Sequence, residues 1–452
     1  MIPTPRQSRI ASIALVALSG CVTQQSEQLA VQDASPLYSK DVAPILYDNC
    51  TSCHRPGGLG PFSLMDYAGA KANAEDIRDA VAREMMPPWH ADGPRGVFHN
   101  DRRLTEAEKQ TIVRWVASGA RQGDPRLLPP KPVYASSWEI GVPDAVVEMR
   151  EAFHVPASGT IEYQYFEVPT TFDEDKWVTA IEIMPGSRDV VHHVIVFARP
   201  PAQPRPATPP APAPRPAGTP APRPVLVRNR AHEIPDGPAR IDTLHPPPRT
   251  LGSTIGGTAV GTNVMEMPSG TALRLVKGSI LTFQMHYTTR GHDAHDRTSV
   301  GFKFASEPPE EQILMSSFLN GSFVLPAGAK DVAVPAEIGF NEPVRIYGLL
   351  PHTHLRGIRW KYVLEKPDGT SETILDVPRY DFNWQTYYFF AKPLEIPAGA
   401  KIVSTAWYDN SAANRHNPDA TKEVRWGDQT WEEMQFTGFL YSVNSRRRSA
   451  PR

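Results

Sequence analysis

The sequence predicts a small helical domain followed by two tandem β-sandwich domains. Residues 37–128 show helical patterns at both ends, whereas from Val142 onward short alternating apolar runs are separated by Pro, Gly, Asn and Asp. The chain has 452 residues and 47 prolines, too many residues for one core and too many prolines for a protein of long helices. The strand-like part has about 300 residues, a length that suits two sandwich domains.

Charge and cysteine content exclude two classes of protein. Lys and Arg number 47 against 49 Asp and Glu, giving a formal net charge of −2, so no overall positive field attracts nucleic acid. The three cysteines are too few for a disulfide framework.

The N-terminus predicts export and lipid attachment. Arg6 and Arg9 precede an apolar run over residues 10–18, which is too short to span a bilayer and is typical of a signal peptide. The run ends in Leu-Ser-Gly-Cys at Cys21, which resembles a bacterial lipobox. The resemblance implies a signal peptide over residues 1–20, acylation of Cys21, and anchoring at the periplasmic face of a membrane, with the outer membrane expected. A simple secretory signal with a chance cysteine is the alternative.

A polar tether and a helical domain follow. Residues 21–36 are rich in Gln and Ser and predict a tether. One helix is predicted from residue 38 to 46. A second starts at Thr105, which is three residues before Glu108 in a capping-box pattern, and stops near Gly119.

The first chemical motif is Cys50-Thr-Ser-Cys53-His54. Two thiols at this spacing can add to the two vinyl groups of one haem, and His54 can then ligate the iron. A zinc half-site is an alternative, but no second cysteine pair completes four ligands. A redox dithiol is the other alternative, and the following histidine argues against it.

The sixth iron ligand is expected in the segment Met85-Met86-Pro87-Pro-Trp. We favour Met86, because Pro87 fixes the chain directly after it, and a thioether ligand raises the potential of a haem. Met85 is the close rival, and His90 a weaker one. With the final helix, these motifs resemble a class I-type cytochrome c over residues 37–128.

The β region divides near residue 308. The first sandwich is expected over residues 141–308 and the second over 309–445, with a basic tail at 446–452. A proline-rich insert at 200–224 directly follows a strong strand pattern and is expected to lie within the first sandwich as a disordered loop.

Three groups of histidines stand out among the 14 in the chain: His192 with His193, His286 in Gln-Met-His-Tyr, and His352 with His354. Residues two apart in an extended segment point to one face, so His352 and His354 can hold one ion. Adjacent residues point to opposite faces, so His192 and His193 share an ion only where the strand ends or twists. A single buried histidine is more often satisfied by hydrogen bonds.

Apart from His54 and the weaker sixth-ligand candidate His90, the remaining histidines are expected to have no ligand role. His90 and His99 are expected in loops near the haem, and the others in turns or in polar and proline-rich segments: His154, His232, His245, His292, His295 and His416.

The order His-His, Gln-Met-His-Tyr, His-Thr-His and Glu-Met resembles the copper type II monooxygenases, which include peptidylglycine α-hydroxylating and dopamine β-monooxygenases. The resemblance covers residues 141–443 and implies two jelly-roll sandwiches, each with one copper ion. It implies an electron-transfer copper on His192, His193 and His286. It also implies a dioxygen-binding copper, and hence the catalytic site, on the set His352, His354 and Met434.

The ligand types agree with this resemblance. Imidazole suits both copper states, and the thioether of Met434 favours Cu(I). A zinc site would not require the thioether of Met434, and an iron site of the facial-triad type would include a carboxylate ligand. On spacing alone, Met434 is better explained as a core methionine.

Two departures from the family are visible. The animal enzymes carry several disulfides, whereas here Cys50 and Cys53 are assigned to haem and Cys21 to lipid. The peptide-hydroxylating branch has an arginine two residues before the His-x-His motif, and Leu350 occupies that position here. A glycine-extended peptide is therefore not the expected substrate.

These inferences together predict a copper-dependent monooxygenase that hydroxylates a C–H bond of a small organic substrate with dioxygen. One covalent haem c would pass single electrons to the first of two copper ions, after accepting them from a soluble cytochrome or a quinol enzyme. The alternatives are a non-catalytic copper-binding protein and a pure electron-transfer lipoprotein. No nucleic-acid partner is expected.

Overall fold

The computed structural model describes residues 35–134, 138–201, 252–258 and 264–443, together with the backbone of residues 226–228. The signal peptide, Cys21, nearly all of the tether, most of the proline-rich insert, His232, His245 and the basic tail lie outside the described residues. Backbone contacts divide the described chain into two units. Unit 1 contains residues 35–87 and 103–132, and unit 2 contains residues 88–102 and the chain from residue 133 onward.

Unit 1 is helical. A π-helical turn, Tyr38–Val42, continues into α1 (Ala43–Asn49). The other helices are α2 (Tyr67–Ala72), α3 (Ala74–Ala82), α4 (Glu106–Ala117) and a 3-10 turn, Pro125–Leu127. The predicted capping box at the start of α4 is present: the Thr105 side chain accepts from the Glu108 N–H, and the Glu108 carboxylate accepts from the Thr105 N–H. Leu46 and Trp115 are fully buried in the core of this unit.

Unit 2 is built from β-strands. The strands before residue 310 are β1 (Ala145–Glu148), β2 (Phe153–Val155), β3 (Gln164–Pro169), β4 (Lys176–Met184), β5 (Val191–Arg199), β6 (Leu226–Arg228), β7 (Ser253–Thr258), β8 (Val264–Glu266), β9 (Thr271–Leu275), β10 (Ile280–Tyr287), β11 (Ala294–Asp296) and β12 (Ser299–Phe304). The later strands are β13 (Glu311–Leu319), β14 (Val324–Leu325), β15 (Val332–Phe340), β16 (Val344–His352), β17 (Gly357–Glu365), β18 (Ser371–Val377), β19 (Tyr388–Ile396), β20 (Lys401–Tyr408), β21 (Val424–Arg425) and β22 (Phe436–Val443).

Three larger sheets organise the described strands of unit 2. A nine-stranded sheet has the order β1-β12-β4-β9-β13-β22-β16-β19, with β8 paired to β4. A four-stranded sheet has the order β3-β10-β5-β7, and a five-stranded sheet the order β18-β17-β20-β15-β6. Strands β9 and β13 pair in parallel, so the early and late strands share the large sheet.

Two hydrophobic cores lie within unit 2. One is formed by the early part of the large sheet and the four-stranded sheet, with Phe283 and Phe302 fully buried. The other is formed by the late part of the large sheet and the five-stranded sheet, with Trp360 and Phe439 among its buried residues. The chain is thus mostly β-sheet with a small helical part near the N-terminus, as predicted.

The segment 88–102 differs from the prediction, which placed it in the helical domain. It belongs to unit 2, where Trp89 and Phe98 join the second core. Phe98 forms a β-bridge with Phe390, and the Asp92 N–H donates to the Asp376 carbonyl. Burial of these aromatic side chains and pairing of the backbone explain why this segment belongs to unit 2 and not to the helical unit.

Candidate metal centres

The first histidine set lies on the neighbouring strands β5 and β10. His193 faces His286 across this antiparallel pair, but the next residue of β10, Tyr287, faces Val191. His192 is therefore the extra residue of a β-bulge, a feature that locally kinks and re-aims a strand. The bulge explains how the adjacent residues His192 and His193 can turn to one side.

The Nδ1 atoms of these three histidines converge. His193 Nδ1 lies 3.1 Å from His192 Nδ1 and 3.3 Å from His286 Nδ1, and one ligand atom from each ring lies within 4.8 Å of the others. A neutral imidazole nitrogen carries either one hydrogen or one lone pair. Three such atoms cannot all be satisfied by one another, whereas a cation between them can accept all three lone pairs.

Burial keeps this histidine set neutral. Burial lowers the pKa of His286 to about 3, with a further contribution from His192. The pKa of His193 is also well below its ordinary value because of burial, and that of His192 is lowered by burial and by Arg290. Neutral imidazole is the form that binds transition metals.

Tyr163 contacts the outer side of this set. Its hydroxyl lies 3.1 Å from Nε2 of His193, and its ring centroid lies 5.0 Å from that of His286. If Nδ1 of His193 holds an ion, Nε2 carries the hydrogen and donates it to the Tyr163 oxygen. Such an outer contact fixes the tautomer and orientation of a ligating histidine.

The second histidine set lies where β16 ends. His352 is the last residue of the strand and His354 lies in the turn that follows, with ring centroids 5.2 Å apart. His354 Nδ1 is 3.1 Å from the Glu432 carbonyl, and His352 Nδ1 is 2.6 Å from Gln385 Oε1. Both partners are acceptors, so both Nδ1 atoms carry hydrogen and both Nε2 lone pairs remain free for a metal.

The Gln385 amide is held in this orientation. Its Nε2 donates to the Phe382 carbonyl at 3.1 Å, which leaves Oε1 to face His352. Burial lowers the pKa of His352 to about 4, although the Gln385 contact opposes this shift. The pKa of His354 is also well below its ordinary value because of burial.

A buried carboxylate joins the His-Thr-His segment to Met434. Glu433 is fully buried and accepts the backbone N–H groups of His354 and Arg356, at 2.8 and 2.6 Å. Burial raises the pKa of Glu433 to about 8, against the lowering effect of these donors and of the Arg356 charge. The next residue, Met434, is half-buried, and its carbonyl accepts from the Tyr408 hydroxyl at 2.6 Å. Glu433 therefore fixes the chain beside the predicted thioether ligand.

One aromatic ring contacts both histidine sets. Phe382 stacks on His192 with ring centroids 5.7 Å apart and an interplanar angle of 19°. It also meets His354 edge-on, at 6.0 Å and 83°. Sequence reasoning missed Phe382, Tyr163 and Gln385, because none of these residues belongs to a recognisable ligand motif. Glu433 was part of the Glu-Met motif but was given no role of its own.

The predicted haem motif follows α1 in unit 1. Cys50 and Cys53 are free thiols on a tight loop, in which the His54 N–H donates to the Cys50 carbonyl. His54 Nδ1 lies 3.2 Å from the Phe62 carbonyl and therefore carries hydrogen, leaving Nε2 free to ligate iron. A Cβ atom at Gly60 would lie 2.6 Å from His54 Nδ1, so this ring needs a glycine beside it. These residues fit a covalent haem.

The candidates for the sixth iron ligand differ in exposure. Met85 is 56% exposed, whereas Met86 is half-buried. His90 belongs to unit 2, where Nε2 is buried without a hydrogen-bond partner, and burial lowers its pKa. His99 also belongs to unit 2 and stacks on Phe389.

The other described histidines lie outside both sets. His154 and His295 face each other across β2 and β11. His292 pairs with Asp189 at 2.9 Å, and His416 is exposed. Within the described ranges, every helix is too short or too polar to cross a lipid bilayer.

Comparison with known proteins leaves the family open. No protein-family model and no curated protein matches the chain. Among solved structures, the major capsid protein P2 from bacteriophage PM2 aligns over 67% of this chain and 98% of its own, with 8% identity and a TM-score of 0.27. The infectious bursal disease virus VP2 subviral particle aligns over 69% of this chain and 77% of its own, with 10% identity and a TM-score of 0.19. At these TM-scores the similarities carry no argument about this protein.

Proposed function

We propose that the protein is a copper-dependent monooxygenase that hydroxylates a C–H bond of a small organic substrate with dioxygen, with electrons supplied through a c-type haem. The observation that carries this proposal is the pair of neighbouring histidine sets in unit 2. One set presents three convergent Nδ1 atoms, from His192, His193 and His286. In the other, both Nδ1 atoms are bonded and both Nε2 atoms are free.

Each set belongs to a different half of unit 2. His192, His193 and His286 lie on the four-stranded sheet, and His352 lies on the late part of the large sheet. We interpret the two halves as tandem sandwiches of the jelly-roll type, each with one copper ion. Met434 would complete the second set, since a thioether suits reduced copper.

The bound groups would supply one-electron redox chemistry and the activation of dioxygen, and the protein supplies their surroundings. Tyr163 and Gln385 fix ring orientations in the two sets. Burial keeps His193 and His354 neutral. In unit 1, Cys50 and Cys53 would hold the haem through its vinyl carbons, and His54 Nε2 and Met86 would ligate its iron.

The location follows from the N-terminal motif. We place the mature protein on the periplasmic face of a bacterial membrane, the outer membrane being favoured, anchored through lipid on Cys21. In this setting a soluble cytochrome or a quinol enzyme would reduce the haem. The mass of the purified N-terminal peptide tests for acylation, and the added lipid mass should be lost in Cys21→Ala.

The decisive experiment counts metals and identifies their ligands. The full-length protein should contain one haem and two copper ions per chain, and the reduced protein should show copper–sulfur scattering in X-ray absorption. Met434→Ile should lose the sulfur signal while haem absorbance stays intact. Met265→Ile, at a buried methionine of β8, is the matched control and should keep the signal.

Activity is then tested with isotopically labelled dioxygen. Reduced, copper-loaded protein should transfer one oxygen-18 atom into a hydroxylated organic product, and Met434→Ile should not. Full copper loading without any oxygen incorporation would favour the non-catalytic copper-binding alternative. Persistence of the sulfur signal in Met434→Ile would contradict the ligand assignment.

A further inference from the structure

Phe382 occupies the space between the two histidine sets. Its ring contacts His192 of the first set and His354 of the second, so the centroids of these two histidines are no farther apart than the sum of 5.7 and 6.0 Å. The residue is half-buried. A molecule bound beside both His192 and His354 would therefore lie close to this ring.

The position of Phe382 is fixed from both sides along the chain. Two residues before it, the Tyr380 hydroxyl donates to the Thr353 carbonyl at 3.0 Å and accepts the Thr353 N–H at 3.2 Å. Three residues after it, Gln385 bonds both His352 and the Phe382 carbonyl. The segment is therefore attached to the His-Thr-His motif at two points, and its aromatic ring is held in place.

Other aromatic side chains also surround the two histidine sets. Tyr163 lies beside His193 and His286, with centroids 5.5 and 5.0 Å away. Phe436 meets His352 edge-on at 6.1 Å. Binding sites for small molecules are mostly lined by such apolar and aromatic side chains.

Two guanidinium groups near these rings, those of Arg356 and Arg290, are hydrogen-bonded within the protein. The buried guanidinium of Arg356 is bonded to Asn410 and to the Trp431 carbonyl, and it lies 3.9 Å from Glu433. Arg290 is exposed, and its Nε donates to the Asp189 carbonyl. A charged ligand that packed between the aromatic rings would lose hydration, which is costly.

We propose that Phe382 is the specificity-determining residue of this site and that the substrate is a neutral, flat, largely apolar molecule that packs against its ring. The inference that the bound molecule is a substrate rests on the proposed function, but its binding against Phe382 does not require a metal. Flat rings gain from offset or edge contacts with phenylalanine and histidine that a saturated ring of equal size does not make.

The test uses three small probes and the full-length protein without added copper. Toluene is neutral and flat, methylcyclohexane is neutral but not flat, and benzoate is flat but charged. Binding is followed by NMR of histidine-labelled protein, in which the ring signals of His192 and His354 are assigned by single substitution. Toluene should shift both signals with saturation, and the other two probes should bind roughly threefold to tenfold more weakly or not at all.

Variants separate a specific role of Phe382 from simple packing. Phe382→Ala should weaken toluene binding by roughly threefold to tenfold, while Phe382→Tyr, which keeps the aromatic face, should restore it. Phe389→Ala is the matched control, because that ring stacks on His99 and Tyr387 instead. It should leave the toluene affinity unchanged.

Three results would overturn the proposal: benzoate binding as tightly as toluene, toluene shifting neither histidine, or Phe382→Ala binding toluene as well as the parent. The comparison of the three probes uses the parent protein, so it tests the proposal even where a variant folds poorly. Copper counting on the same preparation reports separately on the proposed function, since probe binding is measured without copper.

Discussion

His193 and His286 face each other across strands β5 and β10, with their Nδ1 atoms 3.3 Å apart. Neighbouring strands place directly opposed side chains within contact distance, and here the opposed pair is two imidazoles. His192 joins them because it is the extra residue of the adjacent bulge. Three neutral nitrogen ligands thus meet on one sheet without help from a loop.

The first prediction is that His286→Ala lowers the copper content from two ions to one per chain. Two imidazoles hold an ion much less well than three, while the second histidine set and the haem motif are untouched. Copper and haem are measured on the same desalted sample. His295→Ala, at an exposed strand residue, is the control and should keep both ions. Two retained ions in His286→Ala would disprove the first site.

The second prediction concerns Gln385. Gln385→Leu removes the acceptor of the His352 Nδ1 hydrogen bond, so copper affinity at the second set should fall by about 10- to 100-fold. A titration against a competing chelator measures this change for each of the two sites. Asn383→Ala, at an exposed residue of the same segment, should change neither affinity. An unchanged affinity in Gln385→Leu would mean that His352 does not bind the ion.

The sequence predicted the β-rich class and the helical N-terminal part, because these depend on local periodicity. The predicted capping box at Thr105, for example, is observed at the start of α4. The histidine pair at 192 and 193 was harder, because adjacent residues normally diverge. Their convergence depends on the register with β10, and a single-strand pattern contains no information about register.

The supporting residues could not be predicted for a related reason. Gln385 lies 33 residues from His352 along the chain, and Tyr163 lies 30 residues from His193. Nothing local distinguishes these side chains from other polar or aromatic residues. The segment 88–102 was assigned by its position after the haem motif, whereas its aromatic residues are buried in unit 2. Local patterns do not show which core buries an aromatic ring.

The third prediction tests that placement. Phe98 is 4% exposed and contacts the rings of Trp89, Tyr388 and Phe390. Phe98→Ala should destabilise unit 2 by about 3–5 kcal/mol, the usual cost of truncating a buried phenylalanine. Near-ultraviolet circular dichroism in a denaturant titration measures the loss. Val97→Ala, at the exposed neighbour, should cost little. Equal stability of the two variants would place Phe98 outside the core.

The fourth prediction concerns the haem motif. Gly60→Ala would put a methyl group 2.6 Å from His54 Nδ1, so the ring must turn and lose its contact with the Phe62 carbonyl. We expect less haem incorporated and an altered axial-ligand spectrum in the remainder. Gly57→Ala strains the same loop through a positive φ but approaches no atom within 4 Å. If both variants load haem equally, the Gly60 contact with His54 has no role in ligation.

The fifth prediction concerns the half-buried residue Glu311, which lies where β13 pairs with β9. Burial raises the pKa of this carboxyl. Three groups lower it by a larger amount: Arg345 and the hydroxyls of Tyr347 and Ser442, which each donate at 2.7 Å. The net pKa is therefore below its ordinary value. The unfolded chain therefore binds a proton more readily than the folded chain.

The contribution of Glu311 to stability is complete above the ordinary carboxyl pKa and disappears as the pH falls through the lower folded-state value. Glu311→Gln should cost about 1–3 kcal/mol at pH 7. It should also flatten the dependence of the unfolding free energy on pH between about pH 5 and 3. Denaturant titrations at several pH values measure both effects, with Glu310→Gln at the exposed neighbour as the control. A parallel pH dependence in Glu311→Gln and the parent would show that this carboxylate is not stabilised by the fold.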